Sequence, residues 1–140
     1  MSKRYANFAF IYAIAAMAFG VFYREFTKFN GFTGDTRLSV IHTHYFLLGM
    51  VFFLILMLIE KNFAFSGEKN VGKFILTYNV GLNITAIGFL IRGLTQVLAD
   101  NPEKALDASI AGISGTGHIV MGVSLGVILF KIKRAAVNNK

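Results

Sequence analysis

The chain has 140 residues, of which 55% are hydrophobic and 15% are charged, and its net charge is +7. Soluble domains contain about 25% charged residues, so this composition is typical of an integral membrane protein and excludes an ordinary soluble domain. The absence of cysteine excludes disulfides, cysteine metal sites and covalently attached c-type haem. The basic residues stand at the ends of apolar runs rather than in a stripe with aromatic residues, so we expect no nucleic-acid partner.

Four apolar segments follow one another along the chain, each close to the ~20 residues that cross the hydrocarbon core of a bilayer. They predict one all-α domain over residues 1–140, an integral membrane four-helix bundle in the lipid bilayer of the cell membrane. The first segment has the basic start and apolar middle of a signal peptide, but its apolar run is too long, so we interpret it as an uncleaved helix. The predicted helices cover residues 5–23, 38–60, 74–98 and 108–130.

The second predicted helix begins with IHTHYFLLGM, which contains His42 and His44. Side chains two residues apart on an α-helix point about 200° apart, so the two imidazoles serve two faces unless the helix is distorted. A compact three-histidine site for zinc or copper is therefore awkward. One histidine on a flat cofactor, with the other facing a neighbouring cavity or subunit, is easily arranged. Gly49 lies on the face of His42 and leaves a gap that a cofactor could use.

The third predicted helix carries Asn79, Asn83 and Arg92. The two asparagines are four residues apart, and we expect them to form hydrogen bonds across helices rather than to bind a ligand. Arg92 has two interpretations. Its guanidinium either extends to the outer interface of the membrane or pairs with a haem propionate.

The fourth predicted helix contains GISGTGHIVMGVSLG, in which Ser114, His118, Gly122 and Gly126 recur every four residues on one face. Such a smooth strip can accept a close-packed helix or the flat face of a macrocycle. The histidine within the strip favours the macrocycle, because a haem iron needs an axial imidazole and space for the porphyrin edge. Gly122 is then a predicted cofactor contact.

Nine of the 14 Lys and Arg residues belong to the N-terminus, the second loop and the C-terminus, which predicts that both termini are cytoplasmic. In that orientation the second and fourth helices begin outside, so all three histidines lie at a similar depth, and Arg92 lies in the outer part of the third helix. Ionisable groups within spans usually face the bundle interior, a partner or a cavity. We therefore expect a site in the outer half of the bundle, although an interhelical hydrogen bond would explain each histidine taken singly.

The His-x-His-Tyr pattern resembles the haem-bearing helix of subunit I of haem-copper oxidases. The sequence HTHYFLLG, followed by GHIVMG, resembles small four-helix membrane proteins related to that subunit, among them uncharacterised bacterial membrane proteins. The resemblance implies that His42 and His44 are candidate iron ligands, that Tyr45 lies near the cofactor, and that the chain forms a homotrimer. The sequence has no separate histidine pair for copper and no tyrosine crosslinked to one, so oxygen reduction does not follow.

These observations predict a membrane protein that binds haem b and serves electron transfer or redox sensing with an unknown redox partner. His44 and His118 are the predicted axial pair because they are closest in depth, and His42 is the alternative ligand. The sequence leaves open a protein that binds or transports haem or copper, a gas-binding oxidase-like haem protein, and a structural subunit whose histidines bond only across helices. Whether the protein is an enzyme also stays open.

Overall fold

A computed structural model describes the backbone of residues 1–99 and 104–138 and the side chains of residues 1–99 and 108–137. In this part of the chain the regular secondary structure is helical and no strand is present. Four of its helices are long and apolar enough to cross a membrane, which confirms the predicted helical fold and is consistent with a multi-pass membrane protein. Pro102 and Lys140, which belong to the predicted third loop and to the C-terminus, lie outside the described residues. The four helices are α1 (Ser2–Phe29), α2 (Leu38–Phe63), α3 (Val71–Leu98) and α4 (Lys104–Asn138).

Each helix contains its predicted range and extends beyond it, because the polar residues beside an apolar run continue the helical hydrogen bonds until the backbone changes conformation. After α1, the side-chain amide of Asn30 donates to the carbonyl of Phe26, and Gly31 takes a φ of +60°. Glycine adopts this left-handed conformation without steric cost. Ala64, which follows α2, and Asn70, which precedes α3, are also left-handed.

Helix α2 changes its pitch along its length. Leu38–His44 is α-helical, Tyr45–Val51 is π-helical, and Phe52–Phe63 is α-helical again. The Tyr78 hydroxyl of α3 donates to the carbonyl of Leu48 at 2.7 Å, inside the π-helical segment. Such segments are rare and frequently occur at functional sites. Here the change in pitch begins directly after His44.

Helices α3 and α4 pack closely through small residues. A Cβ atom on Gly81 would lie 2.6 Å from the backbone nitrogen of Met121, and one on Gly117 would lie 2.6 Å from that of Thr85. In a membrane, small residues allow helix backbones to approach each other in this way. The contact fixes the depth of α4 against α3.

Aromatic rings fill the contact of α1 with α2 and with the turn Phe65–Gly67 that follows α2. Tyr5 stacks on Phe65 with 5.9 Å between ring centroids, and Tyr12 stacks on Phe53 with 5.8 Å. Tyr5, Phe53 and Phe65 are fully buried. The stacked rings hold α1 against the half of α2 that follows the π-helical segment, through Phe53, and against the next turn, through Phe65.

One end of the molecule joins the start of α1, the loop between α2 and α3, and the C-terminal part of α4. The hydroxyl groups of Tyr5 and Ser66 are hydrogen-bonded at 2.7 Å. The carboxylate of Glu68 forms ion pairs with Lys131 and Arg134, each at 3.6 Å. The three segments predicted to share one side of the membrane therefore meet at one end of the fold.

Candidate functional site

The imidazoles of His44 and His118 meet between α2 and α4. Their ring centroids are 5.9 Å apart, and the rings are nearly perpendicular. Phe89 of α3 contacts both rings, with centroid distances of 5.0 and 5.7 Å. Arg92 follows Phe89 by three residues, so it lies about one turn farther toward the end of α3. The structure thus brings the two predicted axial residues together, beside an aromatic residue that has no distinguishing pattern in the sequence.

Both imidazoles are held by a carbonyl group of their own helix. The Nδ1 atom of His44 is 3.1 Å from the carbonyl oxygen of Val40, and that of His118 is 2.9 Å from the carbonyl oxygen of Ser114. A carbonyl oxygen can only accept, so Nδ1 carries the proton and donates in both rings. The Nε2 atoms therefore keep their lone pairs, which is the usual arrangement in histidines that bind metals.

The separation of the two ring centroids is close to that of two imidazoles on opposite sides of one ion. A metal lies about 2 Å from the nitrogen of an imidazole, so two imidazoles on opposite sides of one ion have centroids about 6 Å apart. The centroid distance between His44 and His118 is 5.9 Å. Among the described residues no group of three His, Cys, Asp or Glu side chains could hold an ion. The pair alone therefore offers two ligands, and the Phe89 ring, with its centroid 5.0 and 5.7 Å from theirs, occupies space beside the point midway between them.

His118 lies at an open side of the fold. It is exposed on α4, and a Cβ atom on Gly115, Gly122 or Gly126 would meet nothing within 4 Å. Ser114 belongs to a different surface, because it is buried against α3. The predicted small-residue strip is therefore divided, and its glycines leave space beside His118 for a flat group.

His42 lies on the other side of α2. A Cβ atom on Gly20 of α1 would lie 3.8 Å from Cγ of His42. The Nδ1 atom of His42 is buried and has no hydrogen-bond partner in the described part of the chain. Gly49 also faces α1, where a Cβ atom would lie 2.5 Å from Cγ of Tyr12. The gap predicted at Gly49 is therefore filled by a tyrosine ring of the protein itself.

Tyr45 follows His44 in the chain but contacts different helices. Its ring packs against Tyr12 and Phe19 of α1, with centroid distances of 5.3 and 5.7 Å. Its hydroxyl donates to Oδ1 of Asn83 at 3.0 Å. These contacts place Tyr45 in the junction of α1, α2 and α3 rather than in the contact between His44 and His118.

A polar cluster lies within this junction. The Tyr12 hydroxyl donates to Oδ1 of Asn79 at 2.7 Å and accepts a hydrogen bond from Nδ2 of Asn83 at 2.9 Å. The two asparagines thus bond to α1 and α2 from α3, which confirms the predicted interhelical hydrogen bonds.

The family described as "Protein of unknown function (DUF2871)" matches residues 2–135 of the chain. No curated protein and no solved structure matches the chain. Nothing in these comparisons links the chain to subunit I of haem-copper oxidases.

Proposed function

The chain belongs to the DUF2871 family, and we propose that it is a membrane protein that binds haem b and serves electron transfer or redox sensing. The observation that carries the proposal is the contact of His44 with His118 at 5.9 Å, with Nδ1 of each ring bonded to its own helix. A haem held by two imidazoles supplies one-electron chemistry without an open position for a gas. His44 and His118 are the proposed axial ligands.

The residues around the pair have separate proposed tasks. The hydrogen bonds from Nδ1 leave Nε2 of both imidazoles for the iron, and the Phe89 ring, in contact with both imidazoles, would have to turn aside to admit the porphyrin. Gly122 leaves space for the porphyrin beside His118. We assign Arg92 to a haem propionate, because its guanidinium forms strong charge-assisted hydrogen bonds with carboxylates. The relation to haem-copper oxidase subunit I is a proposal that rests on the sequence motif alone.

Copper binding or transport is the second candidate function. It is favoured by the same pair, because imidazole is a suitable ligand for copper and one ion needs less space than a macrocycle. A gas-binding, oxidase-like haem protein would need only one of the two histidines on the iron. A copper protein, a haem protein with one histidine ligand and one with two differ in their absorption spectra.

The proposed orientation has both termini in the cytoplasm. An even number of crossings returns the chain to the side on which it began, and the end that joins the termini carries basic residues, among them Lys131 and Arg134. Lys and Arg are in excess on the cytoplasmic side of membrane proteins. We also propose a homotrimer, in which the part of the open α4 surface that the porphyrin leaves uncovered packs against another chain. Native mass spectrometry in mild detergent tests the trimer, and a monomer or dimer as the sole species would contradict it.

The test of the function is the absorption spectrum of the protein purified from haem-replete cells. A Soret band, with haem in stoichiometric amount, supports the proposal. A colourless protein that also fails to take up added haem contradicts it. Metal analysis of that protein then decides whether copper occupies the site.

A further inference from the structure

A cleft of about 350 Å³ lies between α1 and α3, away from His118. Its walls are apolar and consist of Phe8, Ile11, Ala15, Phe19 and Leu76. Tyr12, which also lines the cleft, is ten residues inside α1, or about 15 Å along the helix axis. The cleft therefore opens within the hydrocarbon region, and its occupant has to enter from the lipid.

The polar groups of the cleft are the two tyrosines and the two asparagines of the interhelical cluster. The Nδ2 atom of Asn83 donates both of its hydrogens, to the Tyr12 hydroxyl and to the carbonyl of Asn79. The Nδ2 atom of Asn79 donates one, to the carbonyl of Ile75 at 2.7 Å. Its second N–H has no acceptor among the described residues, although Asn79 is only 9% exposed. A buried N–H in a membrane requires a partner, and a carbonyl oxygen of a ligand would supply one.

The two tyrosines add hydrogen-bond acceptors to the polar groups of the cleft. The Tyr12 oxygen accepts one hydrogen bond, from Nδ2 of Asn83. The Tyr45 hydroxyl donates to Oδ1 of Asn83, and its oxygen accepts no hydrogen bond from the described residues. A phenolic oxygen has two lone pairs, so both can accept from a hydroxyl group. The cleft thus offers a donor for a carbonyl and acceptors for a hydroxyl. The half-buried rings of Phe8 and Phe19 in the cleft wall provide aromatic surfaces for a flat ring.

We infer that this cleft binds the ring of a lipid-soluble quinone or its hydroquinone, with the tail in the lipid. Ligand pockets measure about 300–1,000 Å³, so this one suits a single substituted ring. Its lining contains no charged residue, which disfavours a phospholipid headgroup. An acyl chain would leave the second N–H of Asn79 without an acceptor. This binding does not depend on haem, so it can fail or succeed independently of the function proposed above.

The experiment uses the full-length protein in phosphatidylcholine nanodiscs and a short-tailed benzoquinone that carries a photoreactive azide. The labelled residues are identified by mass spectrometry. We expect saturable labelling of the cleft walls on α1 and α3, suppressed by an excess of the unmodified short-tailed benzoquinone. Labelling confined to other surfaces, or labelling that the competitor does not suppress, would overturn the inference.

Two matched variants test the position of the site. Ala15→Phe fills the cleft from its apolar wall and should weaken benzoquinone binding about tenfold or more. Ala18→Phe makes the same change at an exposed position of α1 outside the cleft and should leave binding unchanged. Equal affinities of the two variants would overturn the inference. If Ala15→Phe does not fold, the competition experiment with the unaltered chain gives the decision.

A second measurement tests the hydrogen bond. The infrared stretching frequency of a ¹³C-labelled quinone carbonyl should fall on binding, and Asn79→Leu should remove that decrease. A bound carbonyl with the same frequency in the original chain and in Asn79→Leu would exclude Asn79 as the donor. A tightly bound phospholipid that the quinone fails to displace would overturn the choice of ligand.

Discussion

His42 and His44 lie two residues apart in the sequence, yet they contact different helices. His42 stands beside Gly20 of α1, whereas His44 meets the ring of His118 on α4. The α-helical conformation of Leu38–His44 produces this divergence, since residues i and i+2 point in nearly opposite directions. The three histidines of the chain therefore form one pair and one separate side chain, and the separate one provides a natural control.

Replacement of either member of the pair should cause the loss of bound haem. Loss of an outer-shell partner of a metal ligand already costs about 10–100-fold in affinity, so His44→Ala and His118→Ala should lower the haem content at least as strongly. His42→Ala changes the opposite face of α2 and should retain the haem. The haem-to-protein ratio after purification gives the measurement. A spectrum unchanged by His118→Ala would show that this histidine forms only structural hydrogen bonds.

Carbon monoxide should barely change the spectrum of the reduced protein. If His44 and His118 both bind the iron, no axial position is open to the gas. The measurement is a difference spectrum of the dithionite-reduced protein before and after carbon monoxide is added. Rapid, stoichiometric binding would contradict bis-histidine ligation and favour a gas sensor or an oxidase-like enzyme.

The packing of α4 on α3 should tolerate no additional methyl group at Gly117. A Cβ atom there would lie 2.6 Å from the backbone nitrogen of Thr85, which cannot move alone. Overpacking of this kind costs about 1–3 kcal/mol, so Gly117→Ala should lower the thermal unfolding midpoint in detergent. The matched change Gly112→Ala meets nothing within 4 Å and, by the higher helix propensity of alanine, should be neutral or stabilising by up to about 1 kcal/mol. Equal midpoints for the two variants would show that the close helix contact does not limit stability.

The sequence predicts the four helices well because the length of an apolar run is a direct physical requirement of the bilayer. The sequence also predicts that His44 and His118 lie at a similar depth, because each residue adds a constant rise along a helix of known direction. The position of Gly49 shows what the sequence alone cannot predict. A gap along one helix can be read from the pattern, but the residue that fills it, Tyr12, belongs to another helix.

Other features of the site depend on contacts between segments distant in the chain. The π-helical segment Tyr45–Val51 has no signature in the sequence, although it lies directly after His44. Phe89 is one of 15 phenylalanines, and only its packing against both imidazoles distinguishes it. Ser114 shares a four-residue repeat with His118, yet the close approach of α3 buries the serine and leaves the histidine exposed.

The predicted orientation can be tested with single cysteines, because the chain has none of its own. Thr33→Cys and Gly67→Cys introduce exposed thiols in the first and second loops. In intact cells, a membrane-impermeant maleimide should label Thr33→Cys, whereas Gly67→Cys should react only after permeabilisation. The mass shift of the purified protein measures the labelling. The reverse pattern would place both termini outside.

The interhelical polar cluster should stabilise the fold independently of the histidine pair. Tyr12→Phe removes the hydroxyl that donates to Asn79 and accepts from Asn83, and this loss should cost about 1 kcal/mol, as is usual for hydrogen bonds between helices in membranes. The matched control is Tyr23→Phe, because the Tyr23 hydroxyl forms no hydrogen bond within the described part of the chain. Thermal unfolding followed by circular dichroism should therefore show a lower midpoint for Tyr12→Phe alone, with the haem content of both variants unchanged. Equal midpoints would mean that lipid or water replaces the lost hydroxyl, and a loss of haem in Tyr12→Phe would mean that the two sites are coupled through α2.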